Sequence, residues 1–539
     1  MTNLDSKALG RTFVSGLSGA ILVSAAWAMP SAADAQTIVM VIDPPTNETN
    51  RYWETGGDFG LNPAMQPLVG QDPVTAEYDA SGVARAWEHN EDFTTWTFYL
   101  HEDAEFHFDW GPVTAADIVH SYELHAQEAS TLSGVEQMRG AELEIIDDHT
   151  VAFHLPEPRP NYIFAVAHRG SIHIYSKAQY DAEGLEGYDE RPAGTGQLQY
   201  VERVVGRGVV FEKVENHWSG EDALFDVLDL RFVLEPATKL AMLLSGEAQV
   251  ANVPRELHGQ ALDAGYEILY SSGPAMQTAW FLPSQFVMPD EPDFNPDLAW
   301  HDVRVREAIN RAVDRDAVLD ILYDGRADKL VQFTMDPRHE GWNQDLADRF
   351  DEMYGFDPDR ARELLAEANY PDAFADPVIP ITVTVMAGNP EFTALAELMD
   401  VFMAEVGLET EMREMDWANV ANMRRARGMF ATHPMRNAPV RPTEIGINAY
   451  FYSGGRPVNI VEHPEVEALY PEFRATLDPE ARDAMAQEIF RILFENYFSV
   501  PIASLNAAIA VDPERVAGWT FPGVTSIGLS HFHLIEPTG

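Results

Sequence analysis

Cysteine is absent from all 539 residues. That excludes disulfides, thiolate metal sites and a cysteine nucleophile. It also excludes a lipoprotein anchor, whose attachment point is a cysteine. Basic residues are scarce, with 36 Lys and Arg against 86 Asp and Glu and a net charge of −50. Such a surface repels nucleic acid, so no nucleic-acid partner is expected. Diffuse acidity keeps a chain soluble and suits a salty habitat that screens self-repulsion. Beyond the N-terminus no segment approaches about 20 unbroken apolar residues, the length a membrane helix needs. Enzyme motifs are lacking too. No H-E-x-x-H occurs, since His101-Glu102 has no second histidine, and there is no G-x-S-x-G elbow or Walker loop. Paired carboxylates are too common in so acidic a chain to mark an acid–base pair. The chain is not expected to be an enzyme.

The N-terminus has the form of an export signal. Lys7 and Arg11 precede an apolar, small-residue run over 12–29, and Ala33-Asp34-Ala35 offers an A-x-A cleavage site before Gln36. Residues 1–35 therefore read as a cleavable signal peptide. A mature chain with neither membrane span nor lipid anchor is expected in the periplasm.

Periodicity sets the fold class. Residues 301–327, HDVRVREAINRAVDRDAVLDILYDGRA, read as two capped helices. Asp302 caps the first, with Val305, Ala308, Ile309, Ala312 and Val313 at i, i+3, i+4, i+7 and i+8. Asp314 caps the second, with Val318, Ile321 and Leu322 on one face and Gly325 placed to end it. Asp357 caps a third helix with Pro358 at its first position, and Ala361, Leu364, Leu365 and Ala368 form its buried stripe. Residues 95–100 form a strand with Trp96, Phe98 and Leu100 facing one way. Thr114 then caps a helix with Asp117 in its first turn. Residues 381–386 read as a strand, 391–406 as a helix ending at Gly407, and 408–412 as a second strand. That order is a βαβ unit with parallel pairing and a right-handed crossover. The fold class is α/β.

Several phrases resemble, in order, those of the family 5 extracellular solute-binding proteins, the peptide- and nickel-binding components of ABC importers. The 301–327 segment is similar to "D-x-R-V-R-x-A-I-x-x-A-[IV]-D-R-x-A-[IV]". Residues 96–119, WTFYLHEDAEFHFDWGPVTAADIV, resemble a strand-and-turn phrase of that family. RPAGTGQL at 191–198 resembles "P-[VI]-G-T-G-P-[YF]", with Gln197 replacing the proline. ENHWSG at 215–220, TKLAMLLSGEAQV at 238–250, YGFDPDRARELLAEANY at 354–370, Val500-Pro501-Ile502 and Val516-Ala517-Gly518 resemble further family segments. The pieces cover nearly all of the chain after residue 36.

The resemblance implies a two-lobed, periplasmic-binding-protein-like fold of type II, with an enlarged first lobe and a hinge. Lobe I would hold 36–273 plus 500–539, and lobe II 274–499. It implies capture of a small solute between the lobes and delivery to the membrane subunits of an ABC permease, by a monomer without cofactor or metal. The cluster His101, Glu102, Asp103, Glu105, His107 and Asp109 invites a metal reading. However, His107 and Asp109 fall within the family's strand-and-turn phrase and read as structural. Peptide-binding members carry "W-x-x-D-Y-x-D-P", whose aspartate pairs with the ligand's α-amino group. The corresponding region, 428–455, holds no aspartate, so the usual free-amine clamp is missing. Arginine is concentrated there instead. Arg436 or Arg441 is a candidate for reading an anionic or hydroxyl-rich group, while Arg424, Arg425 and Arg427 read as exposed helix residues. His433 and Asn437 flank the same position. Trp53, Trp280, Phe286, Trp417, Tyr450 and Tyr452 are candidate aromatic walls, with Tyr450 and Tyr452 pointing the same way on a strand. A peptide, opine, oligosaccharide or other solute remains open. Two alternatives are an exported hydrolase acting on a glycan or peptide, and a two-lobed ligand sensor without a permease.

Overall fold

The computed structural model describes residues 36–45, 47–54, 60–131, 135–167, 172–283, 285–286, 294–385, 391–439, 441–454, 461–523 and 529–539. The proposed export signal lies outside them. A nine-stranded mixed sheet runs through the molecule. Its path uses β1 (Thr37–Ile42), β2 (Leu198–Val204), β3 (Gly208–Lys213), β4 (Val227–Phe232), β5 (Val250–Ala251), β6 (Glu267–Phe281), β7 (His433–Asn437) and β8 (Ser499–Val511). The order is β7-β6-β8-β5-β1-β4-β3-β2, with Asp328–Lys329 pairing to β8 off that path. β1 is parallel to β4 and β5, and the other neighbours are antiparallel.

β6 and β8 are the longest strands and belong to two cores at once. Ile509 and Val511 of β8 pack with β1–β4 residues such as Met40, Phe211 and Leu230. Val500, Ile502, Ala503 and Leu505 of β8 pack instead with Trp280 of β6 and with Val305, Ile309, Ile381 and Leu395. The change of core coincides with irregular pairing, where the register shifts between Tyr270 and Pro274 and again between Pro274 and Met276. Pro274 brings no N–H to the ladder. Side chains replace the missing bonds. Ser271 Oγ accepts from the Ala507 N–H at 2.9 Å and donates to the Gly273 carbonyl at 2.7 Å, and Asn506 Nδ2 donates to the Ser271 carbonyl at 2.6 Å.

The helices include α1 (Ala115–Ala126), α2 (Val303–Ala312), α3 (Arg315–Tyr323), α4 (Pro358–Glu367), α5 (Glu391–Glu405), α6 (Trp417–Arg425) and α7 (Thr443–Tyr450). Their starts follow the sequence reading. Asp302, Asp314 and Asp357 accept from the N–H of Arg304, Ala317 and Arg360 at 2.8, 3.0 and 2.9 Å. Asp117 reaches back to the Thr114 N–H at 2.8 Å. Thr95–Leu100 is the expected strand, with Trp96, Phe98 and Leu100 buried. Ile379–Val385 pairs parallel with Thr410–Asp416 across α5. Three expectations are corrected. In α3 the buried stripe is Val318, Leu319 and Tyr323, and Ile321 is 62 % exposed, because the stripe centres on the neighbouring face. The helix closes on Asp324, left-handed at φ 51°, one residue before Gly325. Tyr450 and Tyr452 do not share a strand, since α7 is helical through Tyr450.

Separate family phrases meet at two buried knots. The first is the G-T-G turn. The buried His107 donates from its backbone N–H to the Gly194 carbonyl at 3.0 Å, and its Nε2 contacts the Gly196 carbonyl at 2.8 Å. His217 Nε2 and Trp218 Nε1 both contact the Thr195 carbonyl, at 2.8 and 2.9 Å. Burial pushes the His107 imidazole down to about 4. The glycines let this turn lie on Ala64. A Cβ on Gly194 would stand 2.0 Å from the Ala64 carbonyl oxygen. The second knot is made by the arginines of the R-V-R and D-R phrases. Arg306 donates to the carbonyls of Trp300, His301 and Asn496 at 2.8, 2.9 and 2.8 Å and covers Phe498. Arg315 donates to the carbonyls of Pro501, Tyr354 and Asn310 at 2.7, 2.7 and 3.1 Å and to Asn310 Oδ1 at 2.9 Å. Burial lowers both guanidinium groups to about 10. Arg315 thereby ties α3 to the N-terminal end of β8.

Gly194→Ala should lower the urea-unfolding free energy by about 1–3 kcal/mol or more, because neither the turn nor the Ala64 backbone can yield cheaply. Arg315→Met should lower it by about 3 kcal/mol or more by orphaning several buried carbonyls. The exposed Arg362→Met is the control and should stay within about 0.5 kcal/mol.

Candidate functional site

A crevice containing two adjoining cavities lies where a core around Trp96, Phe153 and Tyr162 faces one around Phe333, Tyr450 and Tyr470. The larger, about 680 Å³, is walled by Gln71, Thr75, Glu77 and Tyr78 on the N-terminal side and by Arg338, His339, Glu340 and Thr443 on the other. That volume falls in the range of about 300–1,000 Å³ typical of small-molecule sites. The smaller, about 260 Å³, has Glu157, Arg159 and Tyr162 facing Glu444, Asn448 and Arg474. Asn161 lines both. Polar contacts bridge the gap. Arg474 pairs with Glu157 at 2.8 Å, and Asn161 Nδ2 donates to Glu444 Oε2 at 3.4 Å.

The far wall is fixed from behind. Arg482, almost fully buried, pairs with Glu340 at 3.0 Å and Glu444 at 3.2 Å. Burial still raises the Glu444 carboxyl above its ordinary range against the pull of Arg482 and Arg474. Thr334 is left-handed at φ 72°, rare for a β-branched residue. It is held by Gln277, which accepts from the Thr334 N–H at 3.0 Å and donates to the Met335 carbonyl at 2.7 Å.

β7 distributes the sequence-selected residues over two opposite sheet faces, because alternate side chains point opposite ways. His433 and Asn437 share one face. Asn437 Nδ2 donates to Gln277 Oε1 at 3.3 Å, and Arg441 reaches Asn437 Oδ1 at 3.5 Å. His433 is fully buried, edge-on to Phe281 at 5.8 Å, with Nδ1 on the Ala431 carbonyl at 3.1 Å. Tyr450 belongs to this apolar core, beside Phe281 and Phe333. Arg436 lies on the opposite face, opposite Thr278 in the β6 register. Trp280 is fully buried on the Arg436 side of β6 and packs in the α2–α5 core. Trp53 is buried against Tyr175 and His125. Trp417 opens α6 and is partly covered by the His433-side core. Tyr452 packs against Tyr470 with the rings tilted and their centres 4.5 Å apart. Phe286 lies in a two-residue strand paired with Val461–Glu462. None of these ten lines either cavity. Arg424 was expected on an exposed face but is buried, 5.9 Å over Phe281, and Arg427 pairs with the buried Glu462 at 2.5 Å. Their guanidinium stems serve the core as much as the charge balance.

On the Arg436 face, charges converge from distant parts of the chain. Arg255, on the N-terminal side, donates to the Asn506 carbonyl at 2.5 Å and lies 6.0 Å over the Tyr323 ring. Burial raises the Glu391 carboxyl, at the start of α5, while Arg255 and Arg436 pull it down. Burial lowers Arg436, Glu391 opposes that, and Arg441 adds to it. Sequence reasoning reached Arg436 but missed Arg255, Glu391 and the cavity residues. No local phrase distinguishes Glu391 from the other acids; only the fold gives it two arginine neighbours.

Residues 80–456 match the family model described as bacterial extracellular solute-binding proteins, family 5. The chain belongs to that family. It is 26% identical over 442 residues to heme-binding protein A of Haemophilus influenzae, covering 75% of this chain and 77% of that one. It is 25% identical over 357 residues to the dipeptide-binding protein of Escherichia coli, covering 62% and 63%. The solved structure of HbpA2 from Haemophilus parasuis superposes with a TM-score of 0.73 at 22% identity, covering 93% of this chain and all of that one. The fold is therefore the two-lobed α/β architecture of periplasmic binding proteins, and the chain is a solute-binding protein of the ABC-importer type.

His433 generates a pH test. Burial beside Arg424 pushes its imidazole down to about 3. Below pH about 6.5 the unfolded chain gains a proton that the folded chain refuses, so stability present above that pH is lost as pH falls. His433→Asn should lose about 2 kcal/mol less unfolding free energy than the wild type between pH 7 and pH 5, measured by urea titration. Equal losses would mean that His433 does not stay neutral in the folded protein.

Proposed function

We propose that this protein captures a small solute in the crevice between its lobes and hands it, unaltered, to the membrane permease of an ABC importer. The observation that carries this reading is the cavity of about 680 Å³ whose walls come from both sides of the β6–β8 crossing. One lobe comprises 36–273 and the chain from about 506 onward, and the other comprises the residues between. The second boundary is drawn where the core of β8 changes, a few residues beyond the V-P-I phrase. Bending at the irregular pairing around Ser271–Met276 opens and closes the crevice. Solute bound to both walls favours the closed form, since those contacts do not exist when the lobes part. Export by the 1–35 signal would place the mature monomer in the periplasm. The reading involves no covalent step, cofactor or nucleic acid.

Relatives named for heme and for dipeptides show that similar chains serve unlike ligands. The decisive experiment is mass spectrometry of compounds released from gently purified protein, paired with X-ray scattering before and after they are restored. Released compounds should be chemically intact, and restoring them should shrink the radius of gyration. A thermal-denaturation series should show about 2.7 kcal/mol of added stability at 100 times Kd. A compound returned in altered form, or a profile insensitive to every solute, contradicts the reading.

A further inference from the structure

The larger cavity stands on the proposed hinge. Two short strands, Gly70–Gln71 and Tyr78–Asp79, frame the loop that walls it on the N-terminal side. Ser272 Oγ donates to the Pro73 carbonyl of that loop at 2.6 Å. From the other wall Arg338 Nη2 donates to the Pro274 carbonyl at 3.1 Å. Both walls are thus tied to nearly adjacent hinge residues, and a solute that touches both braces the hinge directly.

The charges on these walls are mostly engaged within the protein. Asp336, almost fully buried, holds Arg338 through both oxygens, at 2.7 and 3.1 Å. Arg482 holds Glu340 through both oxygens, at 3.1 and 3.0 Å. That leaves Glu77, which is exposed and screened by water. The neutral groups are unengaged. The Tyr78 phenol makes no hydrogen bond among the described residues, and burial raises it with no charged neighbour. Gln71 is its register partner, so both side chains stand on one face. Gln71 Nε2 donates to the Ala76 carbonyl at 3.3 Å, and its Oε1 meets no donor among the described residues. His339 Nε2 lies 2.7 Å from the Pro439 carbonyl, and burial lowers the imidazole. A carbonyl can only accept, so the neutral ring carries its proton on Nε2 and offers Nδ1 as an acceptor. Asn161 gives its amide N–H to Glu444 and keeps Oδ1.

We infer that the larger cavity takes a neutral, hydroxyl-rich solute such as a short oligosaccharide, with Tyr78 against a sugar ring and His339 Nδ1, Asn161 Oδ1 and Gln71 Oε1 accepting from its hydroxyls. A sugar is apolar over its ring face and rich in O–H donors at its rim, which matches an aromatic face set among acceptors. A charged solute would bring a charge that Arg338 and Glu340 cannot answer without giving up Asp336 and Arg482, and an anion would also face Glu77. The inference rests on the solute-capture reading and narrows it to one class of solute.

The test uses the mature protein, freed of solute by unfolding and refolding, and three probes. One is a neutral mixture of cello-, malto- and N-acetylchito-oligosaccharides. The second is the deacetylated, cationic form of the chito-oligosaccharides, and the third is anionic galacturonic acid oligomers. Native mass spectrometry reads what is retained. The wild type should retain members of the neutral mixture about tenfold or more above either charged probe. Tyr78→Leu and His339→Leu should each retain about threefold less or lower, and the exposed Arg362→Met should match the wild type. Thermal melts confirm that each variant is folded. Equal or stronger retention of a charged probe by the wild type overturns the inference, and so does unchanged retention in Tyr78→Leu or His339→Leu. A wild type that retains none of the probes is offered a native extract. A neutral polyhydroxylated compound taken from it supports the inference, whereas a charged or apolar one overturns it and leaves solute capture standing. Retention of no solute from any source removes both.

Discussion

The most consequential interaction is a buried guanidinium bonded to backbone carbonyls. Arg315 and Arg306 carry charge into the core and meet it with carbonyl dipoles and aromatic faces. A planar fork of five donors can satisfy several carbonyls at fixed angles, which a lysine cannot do. The carbonyls chosen belong to chain segments far apart in sequence: Pro501 on β8, Tyr354 before α4, and Asn496 ahead of the crossing. Without those bonds the N-terminal end of β8 would have polar backbone buried against α2 and α3 with no partners. The crossing strand, and through it the relation of the two lobes, depends on this arrangement.

The G-T-G turn is the counterpart on the other side. Its carbonyls receive His107 from one family phrase and His217 and Trp218 from another. Those phrases are recognisable in sequence because they make one three-dimensional knot in which each member constrains the others. The imidazole at 107, a tempting metal ligand on paper, is engaged by the Gly196 carbonyl.

Local signals were legible. Caps at Asp302, Asp314 and Asp357, the strand at 95–100 and the βαβ unit through α5 all follow from short-range chemistry, and the structure repeats them. The site was legible only in part. Arg436 could be found because it stands where a family acid is missing, but which face it occupies depends on β7 register, and a strand turns its neighbours Arg436 and Asn437 to opposite sides. Tyr450 and Tyr452 were misread because an alternating apolar pattern over a few residues does not separate strand from helix. Arg424 was misplaced because charge alone suggests solvent, whereas a long stem over Phe281 fits a core. Asn161, Glu340 and Glu391 carry no local mark at all.

The two strands that join the proposed lobes, β6 and β8, run side by side in opposite directions and are hydrogen-bonded to each other over most of their length. Such a ribbon acts as a leaf spring. It flexes readily out of the plane of the sheet, and it resists in-plane shear, which would break the ladder bonds on both sides of the irregular stretch together. Its softest point is where serine and asparagine side chains stand in for backbone pairing. On the proposed hinge such a ribbon would guide the lobes along a single swing, so that the solute would not have to search for the matching alignment of the opposite wall.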